Sequence, residues 1–328
     1  MRKLGFVLLA AALVLGAALY HWLDAPLALH SASVDLSVEP GSSPREVAQQ
    51  VQQAGIEVNP SLLYWWFRLS GQARQIKAGS YELELGVSPR SLLSKLVRGE
   101  EALRSLTLVE GWNLRQLREA LQKADQLKPT TAALSAEELM AQLGRPGVPA
   151  EGRFFPDTYT YAKGSTDLAL LQRAARAMDR KLEAAWAARS AQSPLQSPEQ
   201  ALILASIVEK ETGRASDRPL IAAVFSNRLR MGMRLQTDPT VIYGLGPLFD
   251  GNLRRADLLA DTAYNTYTRT GLPPTPIAMP GRGALLAAVQ PAVSDALYFV
   301  ARGDGSSEFS ASLDAHNRAV NKYQRGQP

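Results

Sequence analysis

The stretch 197–213 reads S-P-E-Q-A-L-I-L-A-S-I-V-E-K-E-T-G and predicts an apolar helix that ends in two glutamates. Ser197 and Pro198 are typical of an N-cap and a first helical position, and Gln200 would complete a capping box. Gly213 is typical of the position just after a helix. The sequence therefore marks both ends of the helix, from Ser197 to about Thr212, and fixes where its last turn lies.

Two carboxylic acids share that last turn. Glu209 and Glu211 lie about 200° apart around the helix, so at most one faces a given cleft. Glu211 continues an apolar stripe, whereas Glu209 follows Ala205 and Ser206; the stripe consists of Leu204, Ile207 and Val208. Burial and the unpaired carbonyls of a helix C-terminus both raise a carboxyl pKa. Glu211 is thus the predicted proton donor, although the helix end alone fits an ordinary surface pair around Lys210 equally well.

Composition limits the classes of function. The chain has 328 residues and is 46% hydrophobic, which is enough for two or three folded domains. It has no cysteine, so disulfides, thiolate catalysis and thiolate-bound metals are excluded. Its net charge of +5 comes without a dense basic block. Nucleic acid is therefore not expected as a partner, and a weakly anionic polymer or a membrane surface fits better.

The N-terminus predicts a single transmembrane helix. Leu4 to Tyr20 is an uncharged apolar run that nearly spans a hydrocarbon core of about 30 Å. Arg2 and Lys3 precede it and the flank after it lacks basic residues, so the remainder of the chain is expected outside the cytoplasm. A cleaved signal peptide, with a mature start near Ala32, is the alternative.

Repeated patterns predict an α+β fold. An alternating strand and a Ser-Pro helix start occur at 34–45 and again at 81–90, with a helix between them. The aromatic run Tyr64 to Phe67 fits a core better than a sugar platform. The C-terminal part is expected to be mainly helical with a β-hairpin. The predicted domains are 1–23, cytoplasmic tip and anchor; 24–32, tether; 33–100, a small α+β module; 101–150, an extension and connecting region; and 151–328, the catalytic domain.

Two polar segments offer further candidate site residues. In L-Q-T-D-P-T-V-I-Y-G, residues 235–244, Asp238 is most simply an N-cap, but it could also assist Glu211 or orient a substrate. Gln236 and Thr237 have no evident core role. In T-A-Y-N-T-Y-T, residues 262–268, tyrosine rings could stack on sugars and Asn or Thr could bind amides and hydroxyls, although an edge strand fits equally well.

Other chemistries lack their motifs. The chain has three histidines, His21, His30 and His316, without metal-ligand spacing, so no metal site is expected. No serine-hydrolase, penicillin-binding or nucleotide-binding motif occurs. No cofactor is therefore expected.

The chain resembles the endolytic lytic transglycosylases of the YceG-like family, also called MltG. The resemblance rests on A-S-I-V-E-K-E-T at 205–212, on N-R-L-R-M-G-M-R-L-Q-T-D-P-T-V-I-Y-G at 227–244, on T-A-Y-N-T-Y-T at 262–268 and on G-L-P-P at 271–274. It implies that the small module is LysM-like. It also implies that Glu211, the second acid of E-K-E, is the essential catalytic acid.

The resemblance further implies cleavage of peptidoglycan between N-acetylmuramic acid and N-acetylglucosamine, leaving a 1,6-anhydro end. One carboxyl group then acts first as acid and afterwards as base. The substrate-binding residues expected on this basis are Gln236, Thr237, Asp238, Tyr243, Tyr264, Asn265, Thr266 and Tyr267. Glu209 and Asp157 are weaker candidates for the site.

Two other functions remain open at this point. One is a muramidase that hydrolyses the same bond with Asp238 or Asp157 as a second carboxylate, as hydrolases usually require. The other is a noncatalytic wall-binding scaffold for synthetic enzymes. The expected partners are peptidoglycan strands, which the family suggests are nascent, the inner membrane through the single helix, and cell-wall synthases. The catalytic part is expected in the periplasm or its equivalent.

Overall fold

The structure is a computed structural model that describes residues 2–326, without the side chains of residues 2–5, 7–9 and 12. The helices are α1 (Arg2–Asp24), α2 (Pro44–Gln53), α3 (Pro60–Leu69), α4 (Pro89–Arg98), α5 (Leu114–Lys123), α6 (Ala136–Gln142), α7 (Asp167–Ala187), α8 (Pro198–Glu211), α9 (Arg218–Arg230), α10 (Asp238–Leu245), α11 (Arg255–Leu259), α12 (Arg282–Val289) and α13 (Leu313–Gln324). The strands are β1 (Ala28–Leu29), β2 (Ser33–Val38), β3 (Ile56–Glu57), β4 (Gly79–Glu84), β5 (Leu103–Thr107), β6 (Thr158–Ala162), β7 (Tyr298–Ala301) and β8 (Ser307–Ser310).

The chain divides into two compact units. Unit 1 comprises Met1–Arg104, Asp125–Leu127 and Thr160–Ser165, and unit 2 comprises Ser105–Ala124, Lys128–Tyr159 and Thr166–Pro328. Most of the predicted connecting region, 101–150, thus lies in unit 2 together with the predicted catalytic domain. The mixed α and β composition agrees with the predicted fold class.

Unit 1 contains the predicted module of two strands that enclose two helices. β2 and β4 pair antiparallel, with Ser33 opposite Glu84 and Val38 opposite Gly79. The helix start at Ser43 is a full capping box, because Ser43 Oγ accepts from the Glu46 amide and Glu46 accepts from the Ser43 amide at 2.6 Å. These local signals explain why the elements of this module could be read from the sequence.

The aromatic run of α3 is divided between the core of unit 1 and its surface. Phe67 is fully buried, whereas Trp65 is 56% exposed. Tyr64 and Trp66 pack against the edge of the core. The expected core role is therefore confirmed for Phe67 and does not hold for Trp65. The likeness of this module to LysM stays a prediction.

The first helix occupies the predicted anchor region. α1 runs from Arg2 to Asp24, and Met1 and the side chains of Arg2 and Lys3 lie outside the described residues. Across the part of the chain that the structure covers, no helix combines the length and apolar character needed to cross a membrane. The transmembrane anchor stays a prediction.

α8 is the central helix of unit 2. Every residue from Ala201 to Val208 is buried, which follows from the apolar sequence of this stretch. α7, α9, α10 and α12 pack against it. Since one helix is enclosed by its neighbours on several sides, its last turn is held firmly, and whatever side chains lie there are fixed in position.

The C-terminal region contains the predicted hairpin and helix. β7 and β8 pair antiparallel, with Phe299 opposite Phe309, and α13 follows from Leu313. By contrast, residues 262–268 form turns and not the edge strand that was one alternative for them. The turns are held by side-chain contacts to distant segments, which a local pattern cannot reveal.

Candidate active site

Glu211 is the last residue of α8 and accepts a hydrogen bond from the Thr237 hydroxyl on Oε1. Burial raises the pKa of Glu211 to about 7, the Thr237 hydrogen bond lowers it, and the negative charge of Asp238 raises it. The negative end of the α8 dipole favours the same neutral form. Glu211 can therefore hold a proton near neutral pH and also release it, as an acid–base catalyst must.

The loop that carries Thr237 is held in an unusual backbone conformation. Gln236 has a φ of +50°, in the left-handed region that non-glycine residues rarely adopt. Its amide donates to the carbonyl oxygen of Thr266 at 3.1 Å, and the Thr237 amide donates to Thr266 Oγ1 at 3.1 Å. Thr266 thus accepts two hydrogen bonds from the loop and holds it beside Glu211.

Thr237, not Asp238, is the N-cap of α10. Asp238 is the first helical residue, so the N-cap expected for it is wrong. The Thr237 side chain makes no capping bond, because its hydroxyl donates to Glu211 instead. This local departure from ordinary capping brings Thr237 to the predicted acid.

A cavity of about 570 Å³ opens beside Glu211. Tyr267 Oη donates to Asp238 Oδ1 at 2.6 Å within it. Burial raises the pKa of Tyr267, and the hydrogen bond to Asp238 raises it further, so the phenol stays protonated at neutral pH. The polar side chains that line the cavity are Glu211, Arg228, Gln236, Asp238, Tyr267, Tyr298, His316 and Gln324.

Thr266 lies outside the cavity lining and contacts Thr237 and Thr240. Its side chain is buried, and its hydroxyl lies 2.9 Å from that of Thr240. The Thr240 hydroxyl in turn donates to the Thr237 carbonyl oxygen at 2.8 Å. Thr266 thus positions Thr237 and does not line the cavity.

Asn265 also holds the framework together. It is buried, and its amide nitrogen donates to the carbonyls of Asp257, Leu258 and Ala260. Its Oδ1 accepts from the Tyr267 amide at 2.8 Å. Because these contacts occupy its amide, it orients Tyr267 and does not face the cavity.

Tyr243 and Tyr264 line a different cavity. Their rings meet edge to face with centroids 4.9 Å apart. Tyr243 Oη donates to Glu151 at 3.1 Å, and Tyr264 Oη lies 2.8 Å from Thr275 Oγ1. The structure therefore separates these two predicted binding residues from Glu211.

The two weaker candidates also lie apart from the cavity of Glu211. The Glu209 side chain is 5% exposed, accepts from the Gly281 amide at 2.9 Å and pairs with Arg218 at 3.5 Å. Burial raises the pKa of Glu209, and these two contacts lower it. Asp157 is exposed and accepts from the Thr158 amide next to it.

Arg228 is a site residue that the sequence analysis did not single out. Its guanidinium donates to the carbonyls of Leu235 and Leu297, both at 2.7 Å, and lies over the Tyr298 ring. Burial lowers the pKa of Arg228, and its charge favours the ionised form of Glu211. Arg228 belongs to the motif N-R-L-R at 227–230, which precedes the loop of Gln236. This position in the motif was the signal by which the sequence could have indicated Arg228 as a site residue.

His316 and Tyr298 complete one side of the cavity and were also missed. Their rings are stacked with centroids 5.3 Å apart. Burial lowers the pKa of His316, so the imidazole is mostly neutral at pH 7. α13, which carries His316, begins more than a hundred positions after the end of α8, so spacing along the chain gives no signal that the two helices meet at this cavity.

The residues that the structure describes contain no evident set of metal ligands. No cluster of three or more His, Cys, Asp or Glu side chains there could hold an ion.

Comparison with known proteins identifies the family. The profile of the YceG-like family matches residues 36–322, which is most of the chain. The chain belongs to the YceG-like family. A relative from Bacillus subtilis (strain 168), named endolytic murein transglycosylase, is 32% identical over 310 residues, covering 89% of this chain and 85% of that protein.

Two further members of the family extend the comparison. A Streptococcus pneumoniae (strain D39 / NCTC 7466) protein, also named endolytic murein transglycosylase, is 28% identical over 326 residues, covering 88% of this chain and 58% of its own length. A crystal structure of a YceG-like protein from Listeria monocytogenes matches with a TM-score of 0.54 and 28% identity, covering 87% of this chain and 98% of that one. The fold of this YceG-like chain is thus shared with a solved structure.

Proposed function

We propose that the protein is an endolytic lytic transglycosylase of peptidoglycan and that Glu211 is its single catalytic acid and base. The observation that carries the proposal is the half-buried Glu211 carboxyl group, which accepts from the Thr237 hydroxyl and lines a cavity of polar side chains, where burial raises its pKa to about 7. Near that pKa both protonation states are well populated, as a group that first donates and then accepts a proton requires. The names of the two relatives support the same class of reaction.

The proposed reaction cleaves the β-1,4 bond between N-acetylmuramic acid and N-acetylglucosamine. Neutral Glu211 donates its proton to the glycosidic oxygen as the bond from that oxygen to the anomeric carbon breaks. The new carboxylate removes the proton of the muramoyl C6 hydroxyl, whose oxygen bonds to the anomeric carbon. The products are a free N-acetylglucosamine hydroxyl and a 1,6-anhydro end, and Glu211 is protonated again without use of water.

The neighbours of Glu211 divide into two roles in this proposal. Thr237 orients the carboxyl group and stabilises its anion, which eases the first proton transfer. Gln236 and Tyr267 line the cavity and offer an amide and a phenol to sugar hydroxyl and acetamide groups. Asp238 raises the pKa of Glu211 and holds Tyr267 in place.

A two-carboxylate muramidase is the second candidate, because Asp238 lines the same cavity as Glu211. In that case Asp238 would activate a water molecule or stabilise the cationic sugar. Asp157 is less suited to this role, since it is exposed and does not line the cavity. Asp238 is already engaged by the Tyr267 phenol, which favours a positioning role for it.

Product analysis tests the proposal. Purified protein is incubated with glycan strands, and the new ends are analysed by mass spectrometry. Anhydro ends are expected, and reducing ends that carry one added water would instead establish the muramidase. Glu211→Gln, a near-isosteric change, should lower the rate at least about a hundredfold because the proton donor is lost.

The matched control is Glu183→Gln, which makes the same chemical change on the exposed face of α7. It should leave the rate within about twofold of the wild type. If the Glu211→Gln variant cleaved glycan strands as fast as the wild type, the assignment of Glu211 as the catalytic acid would be contradicted. Absence of cleavage by the wild type, with retained binding to peptidoglycan, would favour the noncatalytic scaffold.

We also propose that the N-terminal segment attaches the protein to the inner membrane, so that the catalytic unit meets nascent strands and synthases outside the cytoplasm. The proposal rests on the apolar run Leu4 to Tyr20 and on exposed apolar side chains of α1, among them Phe6, Val14 and Leu15. Fractionation of cells tests it. Recovery of the intact chain without detergent, in the fraction free of membranes, would contradict it.

A further inference from the structure

Unit 2 contains a second cavity that the proposed chemistry does not use. Its volume is about 900 Å³, within the range of roughly 300–1,000 Å³ of ligand pockets. It is lined from α5 by Leu114 and Arg118, from α10 by Ile242 and Tyr243, and from the 262–268 segment by Tyr264. This mixture of apolar, aromatic and cationic groups is typical of a binding site.

The second cavity lies next to the catalytic one in the chain. Lys210 lines the second cavity and Glu211 lines the first; Pro239 lines the second and Asp238 the first. Consecutive Cα atoms are 3.8 Å apart. A substrate held at Glu211 therefore has its neighbouring segments within reach of the second cavity.

A buried carboxylate keeps this cavity in shape. Glu151 accepts from the Leu114 amide at the start of α5, at 3.1 Å to each oxygen, and from Tyr243 Oη at 3.1 Å. It thereby ties the start of α5 to α10. Because the acid is engaged by the protein itself, the cavity is preformed, and Glu151 is not available to capture a cation.

Two cationic side chains of the cavity, Arg118 and Lys210, lack a salt-bridge partner among residues 2–326, although the charge of Arg118 lowers the pKa of the exposed Glu137 and Lys210 Nζ donates to the Gly111 carbonyl oxygen at 3.3 Å. By contrast, Arg115 lies 4.0 Å from Glu119. Arg118 Nη1 donates to the Leu134 carbonyl at 2.7 Å. Its Nη2 is buried, and residues 2–326 offer it no hydrogen-bond partner. A guanidinium nitrogen in this state is completed by an anionic acceptor.

We propose that this cavity binds the carboxylate-bearing peptide attached to muramic acid, with Arg118 as the partner of a peptide carboxylate and Lys210 at the rim. This inference rests on the proposed function, since it assigns the second cavity to another part of the same substrate. The sugars of the strand are mainly uncharged, so the peptide is the part of peptidoglycan that supplies carboxylates. The enzyme would therefore prefer strands that still carry their peptides.

The test compares two forms of one substrate. Glycan strands are used with their peptides and after an amidase has hydrolysed the amide bond between the peptide and the lactyl group, which leaves a lactyl carboxylate on the sugar in place of the peptide and its carboxylates. The ratio of kcat/KM on the two forms is expected to favour peptide-bearing strands for the wild type. Arg118→Gln should lower this ratio about tenfold, as loss of a charge-assisted hydrogen bond implies.

Two variants accompany Arg118→Gln. Arg118 also holds the Leu134 carbonyl, so Lys210→Gln, which changes an exposed side chain, provides a test that does not depend on that contact. It should lower the same ratio by a smaller factor. Lys123→Gln removes a charge from the last residue of α5, outside the cavity lining, and should leave the ratio unchanged.

A binding measurement separates this inference from the proposed function. The free peptide, released by the amidase, is titrated into the full-length Glu211→Gln protein with and without Arg118→Gln. Binding that weakens about tenfold with Arg118→Gln supports the inference, even if no strand is cleaved. Equal substrate ratios and equal peptide affinity in all variants would overturn it, while anhydro products would still establish the transglycosylase.

Discussion

At the scale of single residues, the protonation of Glu211 links catalysis to stability. Its pKa is about 7 in the folded protein, against roughly 4.3 for a free glutamate. Between these two pH values the folded state binds more protons than the unfolded state. The free energy of unfolding must therefore fall as pH rises from about 4.5 to 7, because folding then has to accommodate a buried anion.

A comparison of the wild type with Glu211→Gln tests this linkage. The variant is neutral at every pH, so its stability relative to the wild type should increase by roughly 3 kcal/mol between pH 4.5 and pH 8. Urea unfolding at several pH values measures the difference, with Glu183→Gln as the control. A difference that stays constant with pH would show that Glu211 ionises as it does in water.

The sequence predicted Glu211 itself but not its partners. The apolar stripe and the helix end are local signals, and they are sufficient to place a buried acid at the end of α8. Thr237 reaches Glu211 from 26 positions away, and His316 lies on a helix near the C-terminus. Such contacts depend on tertiary packing, which spacing within one segment does not encode.

At the scale of elements, helix starts were the most predictable features. Ser43, Ser88, Asn113 and Ser197 all accept hydrogen bonds from amides of the first turn, as their sequences indicate. α10 is different, because Thr237 precedes the helix but uses its hydroxyl elsewhere. The start of α10 thus departs from the usual capping pattern at the residue whose hydroxyl donates to Glu211.

The cap of α8 should contribute measurably to stability. Ser197 Oγ accepts from the Gln200 amide at 3.2 Å, so Ser197→Ala should lower the free energy of unfolding by about 1 kcal/mol. Gln196→Ala changes the exposed residue just before it and serves as the control. Urea unfolding measures both variants. Equal stability of the two would mean that α8 is held by packing alone.

At the scale of the whole molecule, the chain has two units with separate cores. One core cluster includes Phe67 and Tyr81 of unit 1, and the other includes Leu204 and Phe225 of unit 2. The strand and helix pattern predicted the elements of unit 1, but it did not predict that most of 101–150 joins unit 2. That assignment depends on long-range contacts, such as the hydrogen bond from the Leu114 amide to Glu151.

Because the two units have separate cores, a substitution in one core is expected to destabilise only the unit that contains it. Phe67 is fully buried, so Phe67→Ala should cost unit 1 about 3–5 kcal/mol. Hydrogen exchange followed by mass spectrometry should show faster exchange in β2, β4 and α3, with α8 unchanged. Leu69→Ala, at an exposed position of the same helix, is the control. An equal acceleration in α8 would indicate that the two units unfold as one.

The end of α8 and the start of α10 each contribute neighbouring residues to two different cavities. A strand seated at Glu211 with its peptide in the second cavity would be held at two places at once. Once the glycosidic bond breaks, the fragment without that peptide keeps only its contacts in the cavity of Glu211, so it leaves more readily than the intact strand. An enzyme built in this way would avoid being blocked by the pieces it has just made.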